Sequence, residues 1–409
     1  MKRVNCSACG SDQLDQFLDL GRSPIADAYT ATPNEDLPTY PLEVAVCAKC
    51  KLVQLLEVLP ADELFGTGYS FYSSASPPLS AYHADYAADL LTFAAYRQQA
   101  ERGVLEVGCN DGDLLRHFRH LPHLGVDPST GPAEAARKRG CDVSAEAFGL
   151  EAAQRIRDER GPQGVVIANH VLAHVESVSD CLAGIAHLMD DESVARVEVQ
   201  YLPDLLVNNG FDLVYHEHRN FFSLSSLEAA ASRHGLYVID TELTDRQGGS
   251  LRVTLSKVNR GMVPRVNAIS QSETWLNDFS AYAGMQGRAE RIRWRLTNMA
   301  WSQPGEVVVY GAAAKTTTLL NFCNLALGAI SYCVDSTPAK QGRYIPGTAI
   351  PIRNPAEVDT TGVTFLLGAH NYAGAIMRAN PGHRWIIPLP APVLLDASLA
   401  EGVKRAVAS

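Results

Sequence analysis

The sequence predicts an α/β protein in which a small cysteine-bearing module precedes two strand-loop-helix domains. Three observations carry that expectation. Two C-x-x-C pairs stand near the start, Cys6-Ser-Ala-Cys9 and Cys47-Ala-Lys-Cys50. The apolar run Val104-Leu-Glu-Val107 turns through Gly108 and Gly112 into a second apolar stretch, as a strand, tight loop and helix do. A like arrangement recurs at Glu306-Val-Val-Val-Tyr-Gly311-Ala-Ala-Ala-Lys315. The 409 residues leave room for two or three domains at roughly 150 each, and the expected divisions are 1–65, 66–258 and 259–409.

Composition narrows the class. An apolar content of 46% supplies globular cores, and no tract has the composition of a disordered tail. The net charge of -10 argues against a nucleic-acid surface, whose footprint is basic. The basic start lacks an apolar signal segment, and no apolar run reaches the roughly 18 residues of a membrane span. The expectation is a cytoplasmic protein without a membrane partner, as a monomer or small homo-oligomer.

Four of the nine cysteines are paired in sequence and five are scattered. Each C-x-x-C sets two thiolates on one turn, and two facing turns make the sulfur tetrahedron that zinc prefers. Cys6, Cys9, Cys47 and Cys50 leave no open position, so the expected metal is structural. Between the pairs, Phe17-Leu-Asp-Leu-Gly21 leads into an expected loop. The next stretch, Tyr69-Ser-Phe-Tyr72-Ser-Ser-Ala-Ser-Pro-Pro78, suits either the lining of a polar cleft or a packed linker, and composition leaves both open. Tyr82, Tyr86, Leu90 and Phe93 follow at helical spacing as a core stripe.

The Gly108 loop is a poor dinucleotide fingerprint, because no third glycine stands at Leu114 or Leu115. It offers instead backbone approach at Gly108, the Glu106 carboxylate, and the polar side chains of Asn110 and Asp111. That lining suits a ligand with positive charge, such as S-adenosylmethionine. Asp127, closing the short strand His123-Leu-Gly-Val126, stands roughly 20 residues on, where α/β nucleotide folds place the carboxylate for ribose hydroxyls. Pro128 follows it. Asn169 ends a third strand, Gly164-Val-Val-Ile-Ala168. Singly these are ordinary strand-end residues; in order on successive strands they read as a methyl-donor site of a Rossmann-like domain.

Asn169-His170-Val-Leu-Ala-His174 is expected to start a helix with both histidines on one face. The glutamate of H-E-x-x-H is missing, so a metal is not indicated there. Val194 to Gln200 alternates as a strand does. Tyr215-His216-Glu217-His218 then crowds proton-transfer groups together, and the flanking Phe221 and Phe222 imply burial. Asp240 to Ser256 reads as a hairpin and Arg265 to Met299 as a polar helical connector. In the last domain a strand ends on Asp335, a candidate substrate-site residue, and Lys315, Lys340 and Arg343 suit either a diphosphate site or a solvated surface, between which spacing alone does not choose.

With these residues in view, the chain resembles the sugar C-methyltransferases that build branched deoxysugars on a nucleotide diphosphate. The resemblance rests on the four cysteines, Glu106-Val-Gly-Cys-Asn-Asp-Gly112, Asn169 with Val171-Leu-Ala-His174, Tyr215-His-Glu-His218, Gly248-Gly-Ser-Leu-Arg252, Gly311-Ala-Ala-Ala-Lys315 and Pro338-Ala-Lys-Gln-Gly-Arg-Tyr344. It implies a Rossmann-like S-adenosylmethionine methyltransferase domain flanked by the zinc module and a second Rossmann-like domain that binds the sugar nucleotide. The implied substrate is a 4-keto sugar on dTDP or a like nucleotide, methylated at C-3, with donor and acceptor meeting between the central and C-terminal domains. His218 is implied as base, oriented by Glu217, with Tyr69, His174 and Tyr215 holding the sugar or stabilising the enolate. Phe148 joins the implied donor site, and Tyr72, Ser73 and Tyr344 the implied substrate site. The chain departs from the family at Thr316-Thr-Thr318, where Gly-Asn-Thr is common, and at Phe71-Tyr72. The competing expectations are an O- or N-methyltransferase of another small acceptor and a non-catalytic zinc-containing binding protein.

Overall fold

In a computed structural model of the chain, residues 2–33, 36–65, 71–92, 94–245, 248–261, 263–326 and 328–396 are described. Tyr69 and Phe93, singled out in the sequence, lie outside them. Two compact units divide the chain, each built from separated stretches. The first combines Met1–Asp15, Ala45–Leu202 and Arg219–Asp278; the second combines Gln16–Val44, Pro203–His218 and Phe279–Ser409.

The N-terminal strands are β1 (Leu14–Ser23), β2 (Tyr40–Cys47) and β3 (Val53–Leu55). β1 runs on past Gly21, where the sequence suggests a loop, because Gly21 takes φ +77° with no neighbour to crowd it. In the first unit follow β4 (Val104–Val107), β5 (His123–Val126), β6 (Val143–Ser144), β7 (Val165–Asn169), β8 (Val194–Gln200), β9 (Asn220–Phe221), β10 (Tyr237–Thr244) and β11 (Ser250–Ser256). β9 pairs with β3, Phe221 opposite Val53. The other seven make one sheet in the order β10-β11-β8-β7-β4-β5-β6. Its β4 to β8 strands are parallel, and the β10-β11 hairpin closes one edge antiparallel, as the sequence suggests.

Parallel strands covered on both faces are apolar throughout, and β4 and all but the last residue of β7 are buried. β8 differs. It is a strand, as its alternation suggests, but its polar positions are covered too, and all seven residues are buried. Arg196 lies 4.8 Å from the Tyr86 ring and 3.1 Å from Asp89, so its charge is paired under cover. Tyr82, Tyr86 and Leu90 form the buried stripe of helix Pro77–Thr92.

The second unit carries β12 (Val307–Tyr310), β13 (Tyr332–Val334), β14 (Ile352–Arg353), β15 (Thr364–Leu367), β16 (Arg384–Ile387) and β17 (Val393–Leu395), ordered β14-β13-β12-β15-β16-β17. All pair in parallel except β17. The two sheets repeat one device. Gly108 N–H donates to Val126 O at 2.7 Å and Asn110 N–H to Asp127 at 2.8 Å; Gly311 N–H donates to Val334 O and Ala312 N–H to Asp335, both at 2.8 Å. In each, a carboxylate ending the second strand fixes the turn leaving the first. The polar connector is several helices rather than one, Pro264–Ser272, Ser280–Ala283 and Met285–Trp301 among them. Among the described residues no helix is long and apolar enough to cross a membrane.

Candidate active site

The ligand atoms of Cys6, Cys9, Cys47 and Cys50 lie within 4.8 Å of one another, with Cys6 Sγ 3.5 Å from Cys50 Sγ and Cys9 Sγ 3.6 Å from Cys47 Sγ. Four thiols at such spacing fit a tetrahedral zinc with no open position. Cys6, Cys47, Cys50 and Leu52 belong to the same buried cluster as Val197, Leu227 and Ala230 of the seven-stranded sheet and its helices. Ser7 Oγ donates to Asn220 Oδ1 at 2.8 Å, and Asn220 Nδ2 in turn reaches Leu172 O and Val175 O. The cysteine-bearing ends of the metal module are thereby part of the first unit's core, while Gln16–Val44 between them belongs to the second unit.

A cavity of about 530 Å³ opens in the first unit at the carboxyl ends of β4, β5 and β7. Of the residues the sequence assigns to the donor, Glu106, Gly108, Asn110, Asp127, Pro128, Phe148 and Asn169 line it, and so do Ser73 and His174. Asp111 does not; it pairs with Arg139 at 3.2 Å. Tyr72 also lies off the lining, with its side chain exposed. Asp127 accepts from Asn110 N–H and Ser129 N–H, both at 2.8 Å, and so holds the loop open. Gly108 sits at φ +67°, and a Cβ there would meet Val171 Cγ2 at 2.5 Å, so only glycine permits this backbone approach.

The cavity fits a cationic donor. Glu106 is buried, with no hydrogen-bond partner for Oε2. Burial raises its carboxyl well above the ordinary value, and the charges of Asp127, Asp113 and Asp111 raise it further. A ligand bearing positive charge counters the repulsion among these carboxylates and favours the ionised form of Glu106 despite its burial. S-adenosylmethionine, with its sulfonium and ammonium, is such a ligand.

Sequence reasoning expects a helix at His170, and the structure has a turn instead. The helix starts only at Val178, capped by Ser177, and His170 takes φ +56°. His170 N–H donates to Glu198 O at 2.7 Å and Nε2 lies 3.3 Å from Glu198 Oε1, bonds that hold the backbone away from helical geometry. His170 lines the cavity too, and so do Tyr82, His83 and Arg219, which carry no site signal in the sequence. Their partners are distant in the chain: Glu198 for Tyr82 and His170, Asp113 for His83, and Leu59 O for Arg219.

The second unit holds Tyr215, Glu217 and His218. His218 is 7% exposed; its Nδ1 lies 2.9 Å from Leu213 O and its Nε2 2.8 Å from Tyr215 Oη. A carbonyl oxygen only accepts, so Nδ1 carries the proton and Nε2 presents its lone pair to the phenol. Nearby in the chain, Asp212 is buried and meets His370 Nε2 at 2.6 Å. Lys315 is buried and donates to Asn371; burial lowers its ammonium to about 8, while the Asp212 charge opposes the shift. Lys340 Nζ donates to Ala312 O at 2.7 Å and sits 5.0 Å from the Tyr29 ring. Arg343 donates to Tyr29 O, and Tyr344 bridges Thr30. Asp335 holds Ala312 N–H and Thr337 N–H. These polar groups therefore already brace the second unit's own loops.

A glycine turn held by a strand-end carboxylate, a buried Glu106 on the cavity wall and a four-thiol metal module define the class: an S-adenosylmethionine-dependent methyltransferase with a zinc site. Comparison with known proteins agrees. Residues 80–241 match the family described as methyltransferase domain, residues 6–65 a zinc binding domain and residues 245–390 the C-methyltransferase C-terminal domain. The chain belongs to the C-methyltransferase family: it is 31% identical to C-methyltransferase NovU of Streptomyces niveus, over 96% of this chain and 97% of that one. Among solved structures it is similar to magnesium protoporphyrin IX methyltransferase from Synechocystis PCC 6803 with bound SAH, at TM-score 0.35 and 17% identity over 44% of this chain and 83% of that chain. It is also similar to an O-methyltransferase from neocarzinostatin biosynthesis, at TM-score 0.32 and 22% identity over 45% and 59% of the two chains.

Proposed function

We propose that this C-methyltransferase acts at C-3 of a nucleotide-linked 4-keto deoxysugar, with dTDP as the nucleotide and His218 as the base. The observation that carries the proposal is the His218 ring itself, buried, with Nδ1–H fixed on the Leu213 carbonyl and Nε2 left as the basic atom. A carbon acceptor has no electron pair to attack with until a base breaks its C–H bond, whereas an oxygen or nitrogen acceptor already carries the lone pair that attacks. The 4-keto group acidifies the C–H beside it. His218 Nε2 takes that proton, the electron pair of the broken bond moves toward the carbonyl oxygen, and C-3 becomes nucleophilic.

When bound, S-adenosylmethionine supplies an electrophilic methyl group. The chain's own residues do the rest. Tyr215 Oη, already on Nε2, is placed to donate to the developing oxyanion once Nε2 is protonated. We assign Glu217, the buried residue next to His218 in the chain, to orienting that ring. We assign His174 and Tyr69 to the sugar, and Lys315, Lys340, Arg343, Tyr344 and Asp335, with Tyr72 and Ser73, to the acceptor's recognition.

Hydrogen exchange tests the base independently of methyl transfer. In deuterated buffer, wild-type protein is expected to wash deuterium into C-3 of a dTDP-4-keto hexose, and His218→Asn to lose this by about 100-fold or more. Equal wash-in from both proteins removes His218 from the role. No methyl transfer to any of a panel of nucleotide-linked 4-keto sugars removes the substrate class.

A further inference from the structure

His83 is a cavity-lining histidine for which the methylation chemistry leaves no task. It stands on helix Pro77–Thr92, and its Nδ1 lies 2.9 Å from Asp113 Oδ2. Asp113 is 1% exposed and is itself braced by Ser80 Oγ at 2.8 Å and Arg116 at 3.1 Å. So well-anchored a carboxylate only accepts, hence Nδ1 carries the proton and Nε2 is left as an acceptor. No described residue hydrogen-bonds Nε2, and the ring faces the cavity it lines.

The sheet order says which end of the donor that nitrogen serves. Asp127 and Phe148, after β5 and β6, stand on one side of β4; His170 and Glu198, on β7 and β8, stand on the other. Tyr82, the residue before His83 on the same helix, donates to Glu198, which puts that stretch of the helix on the second side, away from the ribose carboxylate. That side is where the amino-acid end of the donor must lie if its ribose meets Asp127. The charged lining is mostly acidic, with Glu106, Asp127, Glu176 and Asp180 against Arg219. A neutral acceptor in such a field recognises a cationic donor of hydrogen bonds.

We propose that His83 is a donor-binding residue whose Nε2 accepts a hydrogen bond from the α-ammonium group of S-adenosylmethionine, with Asp113 fixing the tautomer that makes this possible. The inference rests on the donor site and not on the identity of the acceptor or the role of His218. Burial lowers the His83 imidazole below its ordinary value and Asp113 opposes this, so the ring is neutral near pH 7. Around it stand Asp113 and Arg116 from the glycine loop and its 3-10 turn, His117 beyond them, Arg139 on Asp113, and His170 with Glu198 from the sheet.

Calorimetry with two ligands tests it on the zinc-loaded protein. S-adenosylhomocysteine has the ammonium group; 5′-methylthioadenosine lacks the whole amino-acid end. His83→Ala is expected to weaken the first by about 10- to 100-fold and the second by less than about 2-fold, while His83→Gln, whose amide oxygen replaces Nε2, restores most of the difference. Lowering the pH from about 7.5 to about 5.5 is expected to weaken wild-type binding of S-adenosylhomocysteine more than that of His83→Gln, because protonated Nε2 no longer accepts. Unchanged affinity in His83→Ala, equal losses for both ligands, or binding that tightens at low pH overturns the proposal. A wild-type protein that binds neither ligand refutes the donor site itself, a separate failure.

Discussion

Glu198 keeps its charge at zero exposure because three partners meet it there. Arg252 Nε approaches at 2.9 Å, His170 Nε2 at 3.3 Å, and Tyr82 donates its hydroxyl. Burial alone raises a carboxyl, but here His170, Arg252 and Tyr82 outweigh it and hold Glu198 at about 2. A carboxyl depressed on folding stabilises above its unfolded value and loses that contribution as pH falls through the folded one. Glu198 thus contributes fully above pH 4.5, its ordinary value, and the contribution disappears between there and about 2. Removing Arg252 strands the charge. Arg252→Ala is expected to cost about 3–5 kcal/mol in urea unfolding at pH 7, and to cost less as pH is lowered toward 3. A loss that is the same at both pH values sinks this account.

The turn between β4 and the 3-10 turn Leu115–Phe118 is the element on which the cavity depends. The sequence leads one to expect a longer helix after Gly112, yet Leu114 and Leu115 are buried and Gly112 at φ +73° has Ala136 Cβ only 2.9 Å from where its own Cβ would be. The segment is packed too closely to extend a regular helix along that line. Gly108 is equally committed, by conformation and by the approach of Val171. Gly108→Ala is expected to cost about 1–3 kcal/mol of stability and to weaken S-adenosylhomocysteine by about 10-fold or more, read by denaturation and calorimetry. Unaltered affinity in a folded Gly108→Ala protein shows that the loop backbone does not meet the ligand. Gly311 forms the corresponding turn in the second unit, again followed by a carboxylate-held amide.

At the scale of the molecule, the zinc module shares its core with the first unit rather than standing apart. Cys6, Cys47 and Cys50 belong to one buried cluster with Leu227 and Ala230, and Ser7 holds Asn220, whose amide braces the carbonyls of Leu172 and Val175 beside the cavity. Chelating the metal is expected to lower the Tm of the first unit by about 10 °C or more and to weaken S-adenosylhomocysteine binding, followed by calorimetry against metal release. A cooperative unit whose Tm ignores the metal contradicts the shared core.

The sequence by itself determined what short stretches of chain can hold: four thiols in two pairs, the Gly108 turn, the strand-end carboxylates Asp127 and Asp335, and the imidazole cluster at Tyr215 to His218. Each is local, since the residues that make the chemistry lie within a turn or a strand of one another. Only the tertiary structure decided the rest. Asp113 under His83, Glu198 under His170, Leu59 against Arg219 and Ser7 on Asn220 are pairs brought together by sheet order and packing, and no periodicity records them. The alternation of β8 marks a strand but not what covers its polar positions, because the cations and rings that do so arrive from helix Pro77–Thr92 and from β11, far away in the chain. A buried charge is stable only beside its partner, and the partner's position is a property of the fold.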